Sequence, residues 1–274
     1  MTQEYSVITN PHNPLCGKNY EEVKEVIQQD GLALRFVINQ TADICKLAVQ
    51  QNGRALYYIK EQTEEICKLA VQQDVYALQY VKNQTEEICK LAVQEDGYAL
   101  RYVKSQTEEI CKIAVQQDER TIKFVENQTE ELCKLAVQQD WQTLAYIKPY
   151  SQTEEICKLA VQQHGMALPY VIEQTEEICK LAVQQNGYAL CRVKEQTEEI
   201  CKLAVQENWW ALEYVNNRTE ELCKLAVQQN WRALQYVKEQ TAEICNIALA
   251  SNKKAKRYVN RDLFKIKHSV ELRS

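Results

Sequence analysis

The sequence predicts an all-α fold, an α-solenoid of about eleven stacked 22-residue repeats, each a pair of short helices, with degenerate caps at both ends. Three observations predict it. The stretch Thr63-Glu64-Glu65-Ile66-Cys67-Lys68-Leu69-Ala70-Val71-Gln72-Gln73 recurs nearly letter for letter from Thr41 to Ala250. A cysteine keeps the period, at Cys45, Cys67, Cys89, Cys111, Cys133, Cys157, Cys179, Cys201, Cys223 and Cys245. Every step is 22 residues except one of 24, between Cys133 and Cys157. Gly and Pro are scarce, at 6 and 4 residues, which suits tightly joined helices rather than linkers.

Residues 1–19 read as a leader, with Pro11, Pro14 and Gly17 opposing a helix. Its first residues, Met1-Thr2-Gln3-Glu4-Tyr5, lack the charged-then-apolar form of a signal peptide. A first, degenerate unit follows, with Tyr20 to Gln29 replacing the signature and Asp30 to Gln40 completing it. Nine close repeats run from Thr41 to Gln240, and a worn eleventh from Thr241 to Asp262. Residues 20–262 thus form one solenoid domain. Residues 263–274 place Leu263, Ile266 and Val270 at helical spacing, as a segment capping the open end would.

Within one unit, Thr63 is an N-cap, and Glu64 and Glu65 put negative charge on the first turn. Lys68, four residues after Glu64, stands in the stabilising order for an ion pair. Ile66, Cys67, Leu69, Ala70 and Val71 cover more than half the circumference, which predicts burial on three sides. A second helix begins after a joint, with Ala77, Leu78, Tyr80 and Val81 as its apolar side. The residue after Asp74 is Gly in several units, but Val75, Glu119, Trp141, Trp209 and Trp231 elsewhere. Such residues avoid positive φ, so Asp74 and its equivalents read as N-caps with the next residue already helical. Near the middle, Lys148-Pro149-Tyr150-Ser151 carries two extra residues, and Pro169 lies in the next second helix. Together they predict a local change of curvature between residues 146 and 172, and a hinge is the sharper reading.

The whole unit, Gln-Thr-Glu-Glu-Ile-Cys, then Ala-Val, Gln, Asn/Asp-Gly-Tyr-Ala-Leu and Tyr-Val-Lys, resembles a short helical repeat found in many copies in giant viruses of amoebae. That family is catalogued as a domain of unknown function. The resemblance covers roughly residues 30–262. It implies a viral protein of the host cytoplasm or viral factory, or of the virion, and brings no catalytic residues and no ligand.

Chemistry is thinly represented. The 3 histidines, His12, His164 and His268, are scattered, and no glycine-rich phosphate loop appears. Equivalent cysteines in neighbouring repeats, about 8–10 Å apart, are too distant for a disulfide, which needs Cα atoms within roughly 7 Å. No closely spaced cysteine pair suggests zinc. The ladder therefore reads as small, buried, reduced residues of an intracellular protein, with Cys16 and Cys191 off it and more exposed. No apolar run is long enough to span a bilayer, and the net charge of -5 is made of mixed signs. No enzyme, cofactor, metal or membrane role is expected.

The informative signal is which exposed positions differ between units. On the first helix Glu64, Lys68 and Gln72 recur almost unchanged. On the second, two positions three residues apart vary: Arg54/Tyr57, Tyr76/Gln79, Tyr98/Arg101, Arg120/Lys123, Gln142/Ala145, Met166/Pro169, Tyr188/Cys191, Trp210/Glu213, Arg232/Gln235 and Lys254/Arg257. Arg, Tyr and Trp dominate binding hot spots. The expected function is a protein-interaction scaffold whose partner, host or viral, binds along this stripe. Two alternatives stay open. One is a structural, self-associating component; the other is nucleic-acid binding through the basic end, Lys253, Lys254, Lys256, Arg257, Arg261, Lys265 and Lys267.

Overall fold

The computed structural model describes residues 12–260. The proposed capping residues Leu263, Ile266 and Val270, the basic residues Arg261, Lys265 and Lys267, and His268 and Pro11 lie outside them. Among the described residues all regular structure is helical apart from one isolated bridge residue, Val37. They divide into two compact units, the first ending at Ala136 and the second beginning at Val137.

The first unit holds α1 (Tyr20–Gln29), α2 (Ala42–Gln51), α3 (Glu64–Gln73), α4 (Glu86–Glu95) and α5 (Glu108–Gln117). The second holds α7 (Glu154–Gln163), α8 (Glu176–Gln185), α9 (Glu198–Glu207), α10 (Glu220–Gln229) and α11 (Ala242–Ser251); the division falls inside α6 (Glu130–Gln139). Each helix, α6 with Thr129 included, starts where a polar side chain accepts from the backbone three residues on. Thr63 takes Ile66 N in this way, at 3.4 Å. In each unit the helices stack on their neighbours through Ile66, Cys67, Ala70 and Val71 and their equivalents, all buried from α2 to α10. Leu69 does not join them. It is half-buried, as are Leu47, Leu91, Leu181 and Leu203 at the same position. The predicted apolar arc is therefore wider than the buried one.

The second element of each repeat is a 3-10 helix rather than an α-helix, of six residues as in Val75–Tyr80 or Gly187–Arg192, or of five in the last, Lys253–Arg257. Six residues are too few to offset the cost of nucleating an α-helix, whereas the i→i+3 ladder closes sooner. One extended residue serves both elements. Asp74 (φ -144°, ψ 107°) ends α3 with its N–H on Ala70 O at 2.9 Å, and its carboxylate accepts from Tyr76 N at 3.0 Å to start the next segment. The predicted capping role of Asp74 is thus observed. Positive φ occurs only at Gly17 among the described residues. The joint glycines instead permit close approach: a Cβ on Gly53 would stand 2.4 Å from Ala70 O, and one on Gly187 would stand 2.6 Å from Ala204 O. Where Val75, Trp209 or Trp231 takes this place, the two backbones must stand further apart.

Consecutive repeats are tied by a glutamine. Gln62 Nε2 donates to Leu56 O (3.1 Å) and to Tyr80 O in the next repeat (3.0 Å), while its Oε1 accepts from Lys82 N (2.8 Å) and from the Cys67 thiol (3.9 Å). Gln84 repeats the set, and Gln174 and Gln196 do so in the second unit. Lysines reach the other way: Lys82 Nζ donates to Lys60 O at 2.6 Å and Lys104 Nζ to Val81 O at 2.9 Å.

The two extra residues are absorbed by a short 3-10 turn, Pro149–Ser151, after which Gln152 still reaches Tyr170 O at 3.1 Å and accepts from Ile172 N. Pro169 lies inside a 3-10 segment, Gly165–Tyr170, of the same length as its neighbours. Ahead of α1, Asn13 accepts from Leu15 N and Leu15 is buried, so the end of the leader packs as a turn.

Candidate interaction face

The 3-10 geometry sharpens the variable stripe. At three residues per turn, positions i and i+3 eclipse, so Arg54 and Tyr57, or Tyr76 and Gln79, stand in line on one face. The joint cap fixes the backbone of the first of each pair. Arg54, Tyr57, Tyr76, Gln79, Arg101, Arg120 and Lys123 are exposed in the first unit, and Tyr98 is half-buried. In the second unit Tyr188, Trp210, Arg232 and Gln235 are exposed, as are Lys253, Lys254, Lys256 and Arg257.

Many of these side chains also touch the next repeat. Arg54 Nε donates to Asp74 at 2.9 Å, and Tyr76 OH donates to Asp96 at 2.8 Å. That bond to Asp96 holds the Tyr76 phenol above its usual pKa. Tyr98 meets Phe124 edge-on with ring centres 5.6 Å apart, and Lys123 lies 4.9 Å over the Tyr98 ring. Arg101 rests on Tyr102 and Phe124, at 5.3 and 5.7 Å. In the second unit Tyr188 packs edge-on against Tyr214 at 5.1 Å, and Trp210 stacks on Trp209 at 5.7 Å while its Nε1 donates to Glu213. Burial and Tyr188 push the Tyr214 phenol up to about 12.

Sequence reasoning missed a row of rings. Tyr58, Tyr80, Tyr102 and Phe124 in the first unit, and Tyr214 and Tyr236 in the second, end their 3-10 segments half-buried, and Tyr258 follows the last one, also half-buried. The second unit breaks the row where Tyr146 and Tyr170 are exposed and Arg192 takes the place. Tyr80 was assigned to the apolar side together with Leu78, but the segment ends before the next repeat covers it. Its contact with Tyr57, centres 5.4 Å apart, joins two repeats. The recurrence of an aromatic just ahead of every Val81-type residue but Val193, which follows Arg192, was the available signal.

The strip on the first helices is committed elsewhere. Lys68 pairs with Glu64 in its own helix at 2.8 Å and with Glu87 in the next at 2.6 Å, and Lys46–Glu65, Lys112–Glu131 and Lys224–Glu243 repeat the inter-repeat bridge. Hydrogen bonds to Glu64 and Glu87 hold Lys68 charged well beyond the usual lysine range.

Other features offer little convergent chemistry. Open clefts lie between connecting loops, one of about 650 Å³ lined by Ile38, Gln40, Cys45 and Lys60, another of about 450 Å³ lined by Pro149, Tyr150, Cys157 and Ile172. His164 stacks on Trp141, centres 4.8 Å apart, and accepts from Met166 N, so it acts as a joint cap. All cysteines are unpaired with one another. The ladder is buried, Cys16 is exposed and Cys191 half-buried. Burial pushes the Cys45, Cys111 and Cys157 thiols up to about 11. Among the described residues, no group of three or more His, Cys, Asp or Glu could hold a metal, and no helix is long and apolar enough to cross a membrane.

No curated protein matches this chain. Among solved structures it is similar to a designed armadillo repeat protein in complex with the peptide (KR)4, at 16% identity over 88% of this chain and 91% of that one. The TM-score is 0.13, too low to carry an argument. A family profile described as "Domain of unknown function (DUF4116)" matches residues 43–85, 63–107, 153–197, 175–219 and 197–241, each match spanning about two repeats and together more than half of the chain. A chain whose repeats match that profile so often, on the helices and joints described above, belongs to the DUF4116 family.

Proposed function

We propose that this protein is a non-enzymatic scaffold that presents the variable residues of its 3-10 segments to a protein partner. One observation carries the reading. The first-helix strip is engaged by lysine–glutamate bridges between repeats, whereas the second-helix face combines recurring half-buried rings with exposed side chains that change from repeat to repeat. A lattice-like strip needs sameness; a recognition face needs difference. Tyr57, 64% exposed, and Trp210, 50% exposed, supply the aromatic anchors that dominate interface energetics. Because the backbone is fixed beforehand, ordering costs on binding stay low. The finer setting we propose is viral: host cytoplasm, viral factory or virion, as the resemblance to giant-virus repeats implies.

A photo-crosslinking amino acid placed at Tyr57 or Trp210 tests this, with Gln72 on the first-helix strip as the comparison site. Specific adducts at the first two positions, lost when Tyr76, Tyr98, Arg101 and Arg232 are replaced by alanine, support the reading. Equal labelling from Gln72, or adducts only with a second copy of this chain, would replace it with a self-associating structural role.

A further inference from the structure

The variable face differs in charge along its length because of the joint residues. In the first unit the joints Asp74, Asp96 and Asp118 are carboxylates, and two of them are engaged by stripe residues: Arg54 pairs with Asp74, and Tyr76 donates to Asp96. Arg120 also lies near a carboxylate, 3.8 Å from Glu119. Towards the end of the second unit the joints are Asn208, Asn230 and Asn252, which cap Trp210, Arg232 and Lys254 equally well but carry no charge. Arg232 occupies the register of Arg54, yet the side chain corresponding to Asp74 is the neutral Asn252.

The cations there are held by rings instead. Arg232 lies 5.0 Å from the Trp231 ring centre, and Arg257, from the next repeat, lies 5.3 Å from the same ring and 5.1 Å from Tyr258. Trp231 is buried beneath them, at 8% exposure. A guanidinium lying over a ring uses its face and leaves its N–H edge outward, where it matches a carboxylate in bidentate fashion. Lys253, Lys254 and Lys256 share the short 3-10 segment of Arg257, all exposed. Neither arginine and none of these lysines has an ion-pair partner among the described residues. The nearby acids are engaged: Glu213 accepts from Trp210 Nε1 and also bonds Tyr236, and Glu243 pairs with Lys224 on the first-helix strip.

We propose that this end of the second unit, centred on Arg232 and Arg257, docks an acidic, extended peptide segment of a partner protein. The proposal rests on the scaffold reading and names the chemistry of one part of its face. Carboxylates take the guanidinium edges, the lysines add long-range attraction, and the rings preset the arginines so that little side-chain freedom is lost on binding. Single-stranded nucleic acid fits less well. It needs open ring faces for base stacking beside its phosphate contacts, and Trp231 is buried beneath arginines.

The test is fluorescence anisotropy on the full chain with a labelled sixteen-residue peptide alternating Glu with Gly and Ser, beside a lysine peptide of equal length and an oligo(dT) strand. The expected result is saturable binding of the acidic peptide that weakens with salt and is absent for the lysine peptide. Arg232→Gln with Arg257→Gln should weaken it at least tenfold. Lys253→Gln with Lys254→Gln and Lys256→Gln, which leaves the ring contacts in place, should weaken it severalfold. Arg54→Gln in the first unit should leave it within twofold. Circular dichroism and a thermal melt confirm that each variant is folded. No saturable binding, binding indifferent to both second-unit variants, or tighter binding of oligo(dT) would overturn the proposal. Adducts at Tyr57 alongside a negative result here would discard this surface and keep the scaffold.

Discussion

At Cys111 the thiol donates to Gln106 Oε1, 3.6 Å away, and burial pushes it up to about 11. That the cysteine is small and buried could be read from its place in the apolar run. Its partner could not: Gln106 lies five residues back, beyond the N-cap, outside any helical period. A serine at 111 therefore keeps an acceptor and should cost only about 1 kcal/mol. Cys223 differs, because Arg218 stands where the glutamine would be and donates to Leu212 O and Glu213 O instead. Cys223→Ser buries a hydroxyl without that acceptor and should cost about 2 kcal/mol. Equal midpoints for the two variants in urea would refute the distinction. The raised thiols also set a pH dependence. A thiol whose pKa is higher folded than unfolded contributes stability that is complete below its unfolded value, near 9, and is lost as pH rises towards 11. The stability advantage of the wild type over Cys111→Ala should accordingly shrink between pH 9 and 11, as measured by urea unfolding at each pH.

At the scale of the element, the helix start signals were plain in the sequence and the helix type was not. Thr63, Asp74 and their equivalents were identifiable as caps because their side chains act within three residues. The 3-10 ladder follows from the shortness of a segment whose end depends on the neighbouring repeat. The same dependence hid the role of Tyr80. Arg218 marks a weak step: no bond from it to Tyr236 O or Lys238 N appears among the described residues, whereas Gln196 reaches Tyr214 O at 2.9 Å and Asn216 N at 2.9 Å. Arg218→Gln should restore both bonds and raise stability by about 1–2 kcal/mol. The converse change, Gln84→Ala, leaves Leu78 O, Tyr102 O and Lys104 N without their partner and should cost about 2–4 kcal/mol, more than Glu86→Ala on the exposed strip. A denaturant series with all three variants checks the order.

For the molecule as a whole, stability should grow repeat by repeat, since the main contacts between elements of the described residues run within a repeat or between adjacent ones. Deleting residues 175–196, one full period, joins surfaces that already match. The shortened protein should stay folded, with a lower unfolding free energy and a smaller m-value. Removing 176–186 alone leaves a 3-10 segment without its α-helix and should give an aggregating product; a cooperative melt from it would contradict this account. The periodic architecture was legible from the cysteine spacing, while the spacing between successive backbones was not, because it depends on whether a Gly187 or a Trp209 fills each joint.

The tie between repeats has one further consequence. Gln62 reaches forward to Tyr80 O while Lys82 reaches back to Lys60 O, so the two sides of a glutamine-tied junction carry different groups. Such a junction has a polarity, like the links of a chain, and cannot close on itself by a twofold axis. A fragment cut cleanly at repeat boundaries would bare a donor surface at one end and its acceptor at the other. Those ends would find each other between molecules. Sedimentation of such fragments should show open, head-to-tail oligomers that lengthen with concentration, and never a closed dimer.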